Sequence, residues 1–130
     1  MPKFLKYYLP VLIWMGVIFY LSSVPSLAVS QGLSDLILRK GAHGAEYVFL
    51  VTLFYRAFVN TLSFSQKKHS RRYLLLLAVV LTFLYALSDE WHQTFVPTRN
   101  GNLEDLALDS LGILVGTGFI YYGKVNSMLK

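Results

Sequence analysis

Residues Tyr73 to Leu87, YLLLLAVVLTFLYAL, run for fifteen positions without a charged side chain. Three further apolar blocks accompany this one: Tyr7 to Val24 (YYLPVLIWMGVIFYLSSV), about Ala42 to Leu62, and Leu103 to about Tyr122. At about 1.5 Å rise per residue, helices of this length approach a hydrocarbon thickness of about 30 Å. The apolar residues come in blocks, without alternation or heptads, and make up 55% of the chain, with a mean hydropathy of +0.48. The expected fold is all-α: one domain of 130 residues, a polytopic bundle of four transmembrane helices spanning about 7–24, 42–62, 73–91 and 103–122. Pro25 stops the first block. A cleaved signal peptide ending near Ser26-Leu27-Ala28 is the rival reading, but the block is long and aromatic-rich, which favours a retained span. Leu27, Leu33, Leu36 and Ile37 suggest a short interfacial helix over about 27–39, with a plain loop as the alternative.

The charges sort by side. Four spans put Lys3, Lys6, the Lys67 to Arg72 loop, Lys124 and Lys130 on one face of the membrane, with Arg56 nearby. Only Arg39, Lys40 and Arg99 fall opposite. The positive-inside rule then places the protein in the cell membrane as a multi-pass chain with both termini in the cytoplasm. The net charge of +5 is spread over short clusters and forms no single stripe, so nucleic acid is not an expected partner. The absence of cysteine excludes disulfides, thiol catalysis and cysteine-based metal sites.

All seven acids, Asp35, Glu46, Asp89, Glu90, Glu104, Asp105 and Asp109, map to the outer side. Acidic residues contribute little to topology, so insertion does not require this segregation. A charge inside a span costs roughly 2.5–3.5 kcal/mol and usually faces a bundle interior or a wet cavity. Lys40, His43, Glu46 and Tyr47 follow one helical stripe; Asp89 is three residues from His92 and four from Gln93; Asp105 and Asp109 are one turn apart. Clustered carboxylates need counter-charge, shared protons or a cation, and Lys40, Arg99 and the imidazoles are the partners at hand. Carboxylates and imidazole suit a hard or borderline cation, so a divalent ion at the acidic cluster is one option, although no fixed ligand spacing such as HExxH is present.

Each group also has an ordinary reading. Glu104 and Asp105 complement the positive end of a helix dipole, Lys40 snorkels, and His92, Tyr47, Trp91 and Phe95 sit at the interface. Gly112 and Gly116 form a packing seam. A triad built on Ser88 is improbable, because almost any such cluster offers one.

KGAHGAEY (Lys40 to Tyr47), SDEWHQTFVPTR (Ser88 to Arg99) and the following Asp105, Asp109, Gly112 and Gly116 together resemble the VanZ-like membrane protein family. The resemblance runs from about Lys40 onward. It matches His43, Glu46 and Tyr47 in the second span, and Asp89, Glu90, Gln93 and Phe95 in the third. Pro97 and Arg99 match in the connecting turn, and Asp105, Asp109 and Gly112 in the fourth span. Thr98 departs from the pattern by standing where the family has glycine. The resemblance implies a cell-envelope location and tolerance of the glycopeptide teicoplanin, without supplying a mechanism. The residues support an outer-face site in which His43, Glu46, Asp89, Glu90, Asp105 and Asp109 are acid–base groups and Lys40, Tyr47, Gln93 and Arg99 hold a ligand. That ligand would be a lipid-linked envelope precursor or a glycopeptide. The alternatives are a non-catalytic binder or shield and, less favoured, a transporter or proton relay, for which the span centres lack ionisable groups.

Overall fold

The computed structural model describes residues 2–23, 33–62, 68–95 and 103–122, with the side chains of 33–40, 43, 68–70 and 103–105 outside that description. Its described elements are four α-helices: α1 (Lys3–Ser23), α2 (Leu33–Thr61), α3 (Lys68–Gln93) and α4 (Leu103–Tyr121). Two of them, α1 and the Arg71–Gln93 part of α3, are long and apolar enough to cross a membrane; Leu106–Tyr121 is a shorter apolar helix.

The helices run alternately up and down. Tyr8 near the start of α1 bonds Thr61 at the end of α2, whereas Ser22 at the end of α1 meets Asp89 near the end of α3. α2 is the central element. It packs on all three other helices, most extensively on α4, while α1 and α4 do not touch among the described residues.

Each helix contributes one stripe at helical spacing to a common core: Tyr7, Val11 and Ile18 from α1; Tyr47, Leu50, Val51, Tyr55 and Phe58 from α2; Leu74, Leu75, Ala78, Thr82 and Ala86 from α3; Ile113 and Ile120 from α4. The opposite faces carry exposed Leu12, Ile13, Phe19, Leu76, Val80, Leu84, Leu111, Leu114 and Phe119. An apolar outer surface of this extent is foreign to soluble monomers and suits lipid contact.

The α2–α4 pairing depends on glycine. A Cβ added at Gly112 would stand 2.2 Å from the Gly44 carbonyl oxygen, and one at Gly116 would stand 2.6 Å from Val51 Cγ1. Both contacts are too short for a side chain, so the two backbones approach closely only because neither position carries one. The expected packing seam at Gly112 and Gly116 is therefore present, with Gly44 as its counterpart on α2.

Two expected boundaries change. Residues 33–39, read as part of an interfacial helix over about 27–39, continue without a break into α2; residues 27–32 lie outside the described residues. No proline interrupts this stretch, and glycines at 41 and 44 are tolerated within a helix that α4 supports from one side. α2 is thus about 43 Å long, more than a hydrocarbon core requires. α3 begins at Lys68, so the basic loop expected before Tyr73 supplies its first turns.

Gly112→Ala is expected to destabilise the chain by about 1–3 kcal/mol through overpacking. Gly118→Ala, whose Cβ meets nothing within 4 Å, should be neutral or slightly stabilising. Thermal unfolding in detergent micelles checks both, and equal melting temperatures would remove the seam from the account.

Candidate functional site

The core stripes do not end in apolar residues at the end of the bundle where α1 and α3 finish. On α3 the face carrying Ala78, Thr82 and Ala86 continues as Asp89, Glu90 and Gln93, all buried. On α1 the stripe ends in buried Ser22, and on α4 it begins with Asp109. On α2 the same level is occupied by Tyr47. The polar site is therefore the last layer of the core and not a patch on its surface. Trp91 and Phe95, one helical face away, are each 69% exposed and pack edge to face, so the lipid-side reading fits them.

Asp89, 2% exposed, organises the layer. Its Oδ2 accepts three hydrogen bonds: from Ser22 Oγ at 2.8 Å, Tyr47 Oη at 3.1 Å and Gln93 Nε2 at 3.3 Å. Gln93 Nε2 also donates to Ser22 Oγ at 3.3 Å, which closes a small ring around the carboxylate. The other oxygen, Oδ1, is buried and has no hydrogen-bond partner among the described residues. Asp109 is fully buried, and its charge, like that of Asp89, reaches the Tyr47 hydroxyl electrostatically. Tyr47 is therefore bonded to one carboxylate and within electrostatic reach of another. It is fully buried and not an interface aromatic.

A second polar contact lies on the α1 side. Ser23 Oγ and His92 Nε2 form a hydrogen bond of 2.8 Å, and the imidazole stacks on Phe19 at 4.3 Å between centroids. Ser23 donates its hydroxyl proton to the Phe19 carbonyl, which leaves its oxygen to accept from His92. Beneath, Trp14 Nε1 donates to the Glu46 carbonyl at 2.8 Å, and the Tyr85 hydroxyl donates to the Met15 carbonyl. Glu46 itself is partly buried on this side, within electrostatic reach of Tyr85.

Of the expected site residues, the structure brings Tyr47, Asp89, Gln93 and Asp109 together, with Glu90 buried in the same layer and Glu46 one step round α2 toward α1. Arg99 lies outside the described residues, and so do the side chains of Lys40, His43 and Asp105. Ser88 points away from the core, exposed, with its hydroxyl donated to the Tyr85 carbonyl; it builds no triad. Among the described residues no three His, Asp or Glu side chains converge as ligands for a metal ion.

The contribution of α1 goes beyond the expected site residues. Ser22 falls eleven residues after Val11 and four after Ile18, so helical periodicity alone would have put it on the core face. Ser23 and Trp14 carry no comparable signal, since a serine ending a helix and a tryptophan near lipid are ordinary.

A family model described as VanZ/LLP1 matches residues 7–125. Comparison with curated proteins and with solved structures yields no match.

Ser22→Ala removes a buried donor to a carboxylate and is expected to lower stability by about 1–3 kcal/mol. Ser88→Ala, on the exposed face, should stay within about 0.5 kcal/mol of the parent. Unfolding midpoints measured side by side in one detergent decide the point. A Ser22 variant as stable as the parent would mean that α1 is not held by Asp89.

Proposed function

The chain belongs to the VanZ/LLP1 family, and on that premise we propose that it is a four-span membrane protein whose extracytoplasmic end binds or acts on a lipid-linked or cell-envelope ligand. The observation that carries this reading is the Asp89 carboxylate: one oxygen is held by donors from three helices, and the other is buried with no donor to it among the described residues. A fixed carboxylate with a spare oxygen is suited to take a hydrogen bond or a proton from a ligand hydroxyl or amine. Asp109 and Glu90 in the same layer favour ligands that bring donors, such as sugars or amino groups. Tolerance of teicoplanin would follow if the ligand were an envelope precursor that the glycopeptide also recognises.

The membrane placement has its own support. Among the described residues the exposed tyrosines and tryptophan collect at two levels, Tyr73, Tyr121 and Tyr122 at one end, with Phe4, and Tyr20 and Trp91 at the other, while exposed phenylalanines also occur between them. Sixteen residues separate Phe4 from Tyr20 and eighteen separate Tyr73 from Trp91, about 24 and 27 Å along a helix. That is the spacing of the two aromatic belts of a bilayer-spanning bundle. Lys3, Lys6, Arg56, Arg71 and Arg72 lie toward the first level, and Glu46, Asp89, Glu90 and Asp109 toward the second. The first end is accordingly assigned to the cytoplasm. The 29-residue α2 then has turns to spare on the outer side.

Two experiments address this reading. The chain contains no cysteine, so single substitutions report topology cleanly. Thr94→Cys should react with a membrane-impermeant maleimide in intact cells, and Arg72→Cys should react only after permeabilisation. The reverse pattern would invert the assignment. Expression in a teicoplanin-sensitive host should raise the inhibitory concentration of teicoplanin, and Asp89→Asn should return it to the empty-vector value while the protein still accumulates in the membrane. An Asp89→Asn variant as protective as the parent would take the carboxylate out of the function. If the protective variant is lost but ligand retention on the purified protein persists, the site is catalytic; if both fall together, it is a binder.

A further inference from the structure

The opposite end of the bundle holds a second concentration of charge, in segments that contain no aspartate or glutamate. The seven acids occupy positions 35, 46, 89, 90, 104, 105 and 109, so no acidic side chain lies in residues 1–34, 47–88 or 110–130. The described residues at the end where α1 and α3 start and α2 finishes all belong to those segments. Three helices nevertheless each turn a cation toward it: Lys6 on α1, Arg56 on α2 and Arg71 on α3.

The cations are gathered on buried tyrosines. The Arg56 guanidinium carbon lies 4.7 Å from the centroid of the Tyr7 ring, and Lys6 Nζ lies 5.5 Å from the same centroid. Arg71 acts electrostatically on Tyr55, which is buried one residue before Arg56. A cation held over a ring face gains attraction from the ring quadrupole, and a stacked guanidinium keeps its in-plane N–H groups for another partner. Two cations on one ring also repel each other. An anion shared between them relieves that repulsion, and no acidic side chain of this chain can supply it.

We infer that Lys6 and Arg56, with Arg71 beside them, form a docking site for the phosphate of an anionic glycerophospholipid at this end of the bundle. Arg56 is five residues from the end of α2, roughly 7 Å below it, a depth that places the guanidinium near a phosphate and not in bulk water. Phosphate is the anion whose oxygens match the guanidinium fork, with lysine as an added point charge. The choice of a lipid over free phosphate rests on the surroundings. Exposed Phe4, Leu5 and Tyr73 flank the cations, and Phe4 stacks on Tyr8 at 4.5 Å, an apolar surface against which acyl chains can lie. The inference rests on the bilayer placement proposed above, while being independent of what the Asp89 end does.

The test uses the purified full chain. In vesicle flotation it should travel with membranes of either phosphatidylcholine or phosphatidylglycerol. In native mass spectrometry from detergent it should retain phosphatidylglycerol in preference to phosphatidylcholine. Each cation near an anionic headgroup is worth roughly fivefold in affinity, so Arg56→Gln should cut the preference by at least about that factor and Lys6→Gln should cut it further. Arg56→Lys should keep part of it. Should Arg56→Gln fail to fold, judged by circular dichroism, the Lys6→Gln variant carries the comparison, because Lys6 is exposed. Equal retention of the two lipids, or a preference untouched by both substitutions, overturns the inference alone. Displacement of phosphatidylglycerol by millimolar inorganic phosphate would assign the site to free phosphate and overturn the lipid identification. Failure to float with either membrane would overturn the bilayer placement and this inference with it.

Discussion

One oxygen of Asp89 holds together the end of the bundle where α1 and α3 finish. Ser22, Tyr47 and Gln93 all donate to it, so α1, α2 and α3 meet at a single acceptor. A buried carboxylate is costly unless its hydrogen bonds are met, and low dielectric makes each of those bonds stronger than it would be in water. The geometry is therefore restrictive: a slip of any of the three helices by one turn would strand the charge. The contact between α1 and α3 shows how much depends on this. These two helices share little packing elsewhere, and their joint surface is closed by Asp89 with Ser22, by His92 with Ser23 and Phe19, and by Tyr85 with the Met15 carbonyl.

α4 enters by a different route. Glycine brings it close. Because Gly112 faces Gly44 with no side chain between, α4 sits near enough to α2 for Asp109 to lie within electrostatic reach of Tyr47. The tyrosine hydroxyl donates to one carboxylate while lying within electrostatic reach of a second. Shape at the seam and charge at the site are thus one design, since a wider α2–α4 spacing would separate Asp109 from the layer.

Much of this could be read from residues alone, and the reasons differ by element. The four helices follow from long apolar blocks, and the acids of α3 and α4 stand out because charges are rare within such blocks. Their burial was legible too, as Asp89 and Gln93 continue the helical stripe of Ala78, Thr82 and Ala86. Helix starts were less legible. α2 and α3 extend through polar stretches that composition marks as interface or loop, and only tertiary support decides such segments. Ser22 is harder to read, for a chemical reason. A serine is unremarkable until a carboxylate from a distant part of the chain, 67 residues away, needs a donor. Ser88 shows the converse: it neighbours the key acid in sequence, yet helical geometry turns it outward.

Treating lipid as the solvent explains why the polar groups sit where they do. In water, a bundle would bury its apolar residues and leave carboxylates outside; here Leu84, Leu87 and Trp91 face outward while Asp89, Glu90 and Gln93 face in. Hydrocarbon offers no hydrogen bonds, so a polar side chain within its depth must turn toward the other helices. Structural economy alone would have filled that last core layer with leucine. Three carboxyl-bearing side chains kept there, one of them with an oxygen that no described group satisfies, set an energetic cost against no packing gain. On the reading proposed above, a ligand at this end completes the layer and offsets that cost.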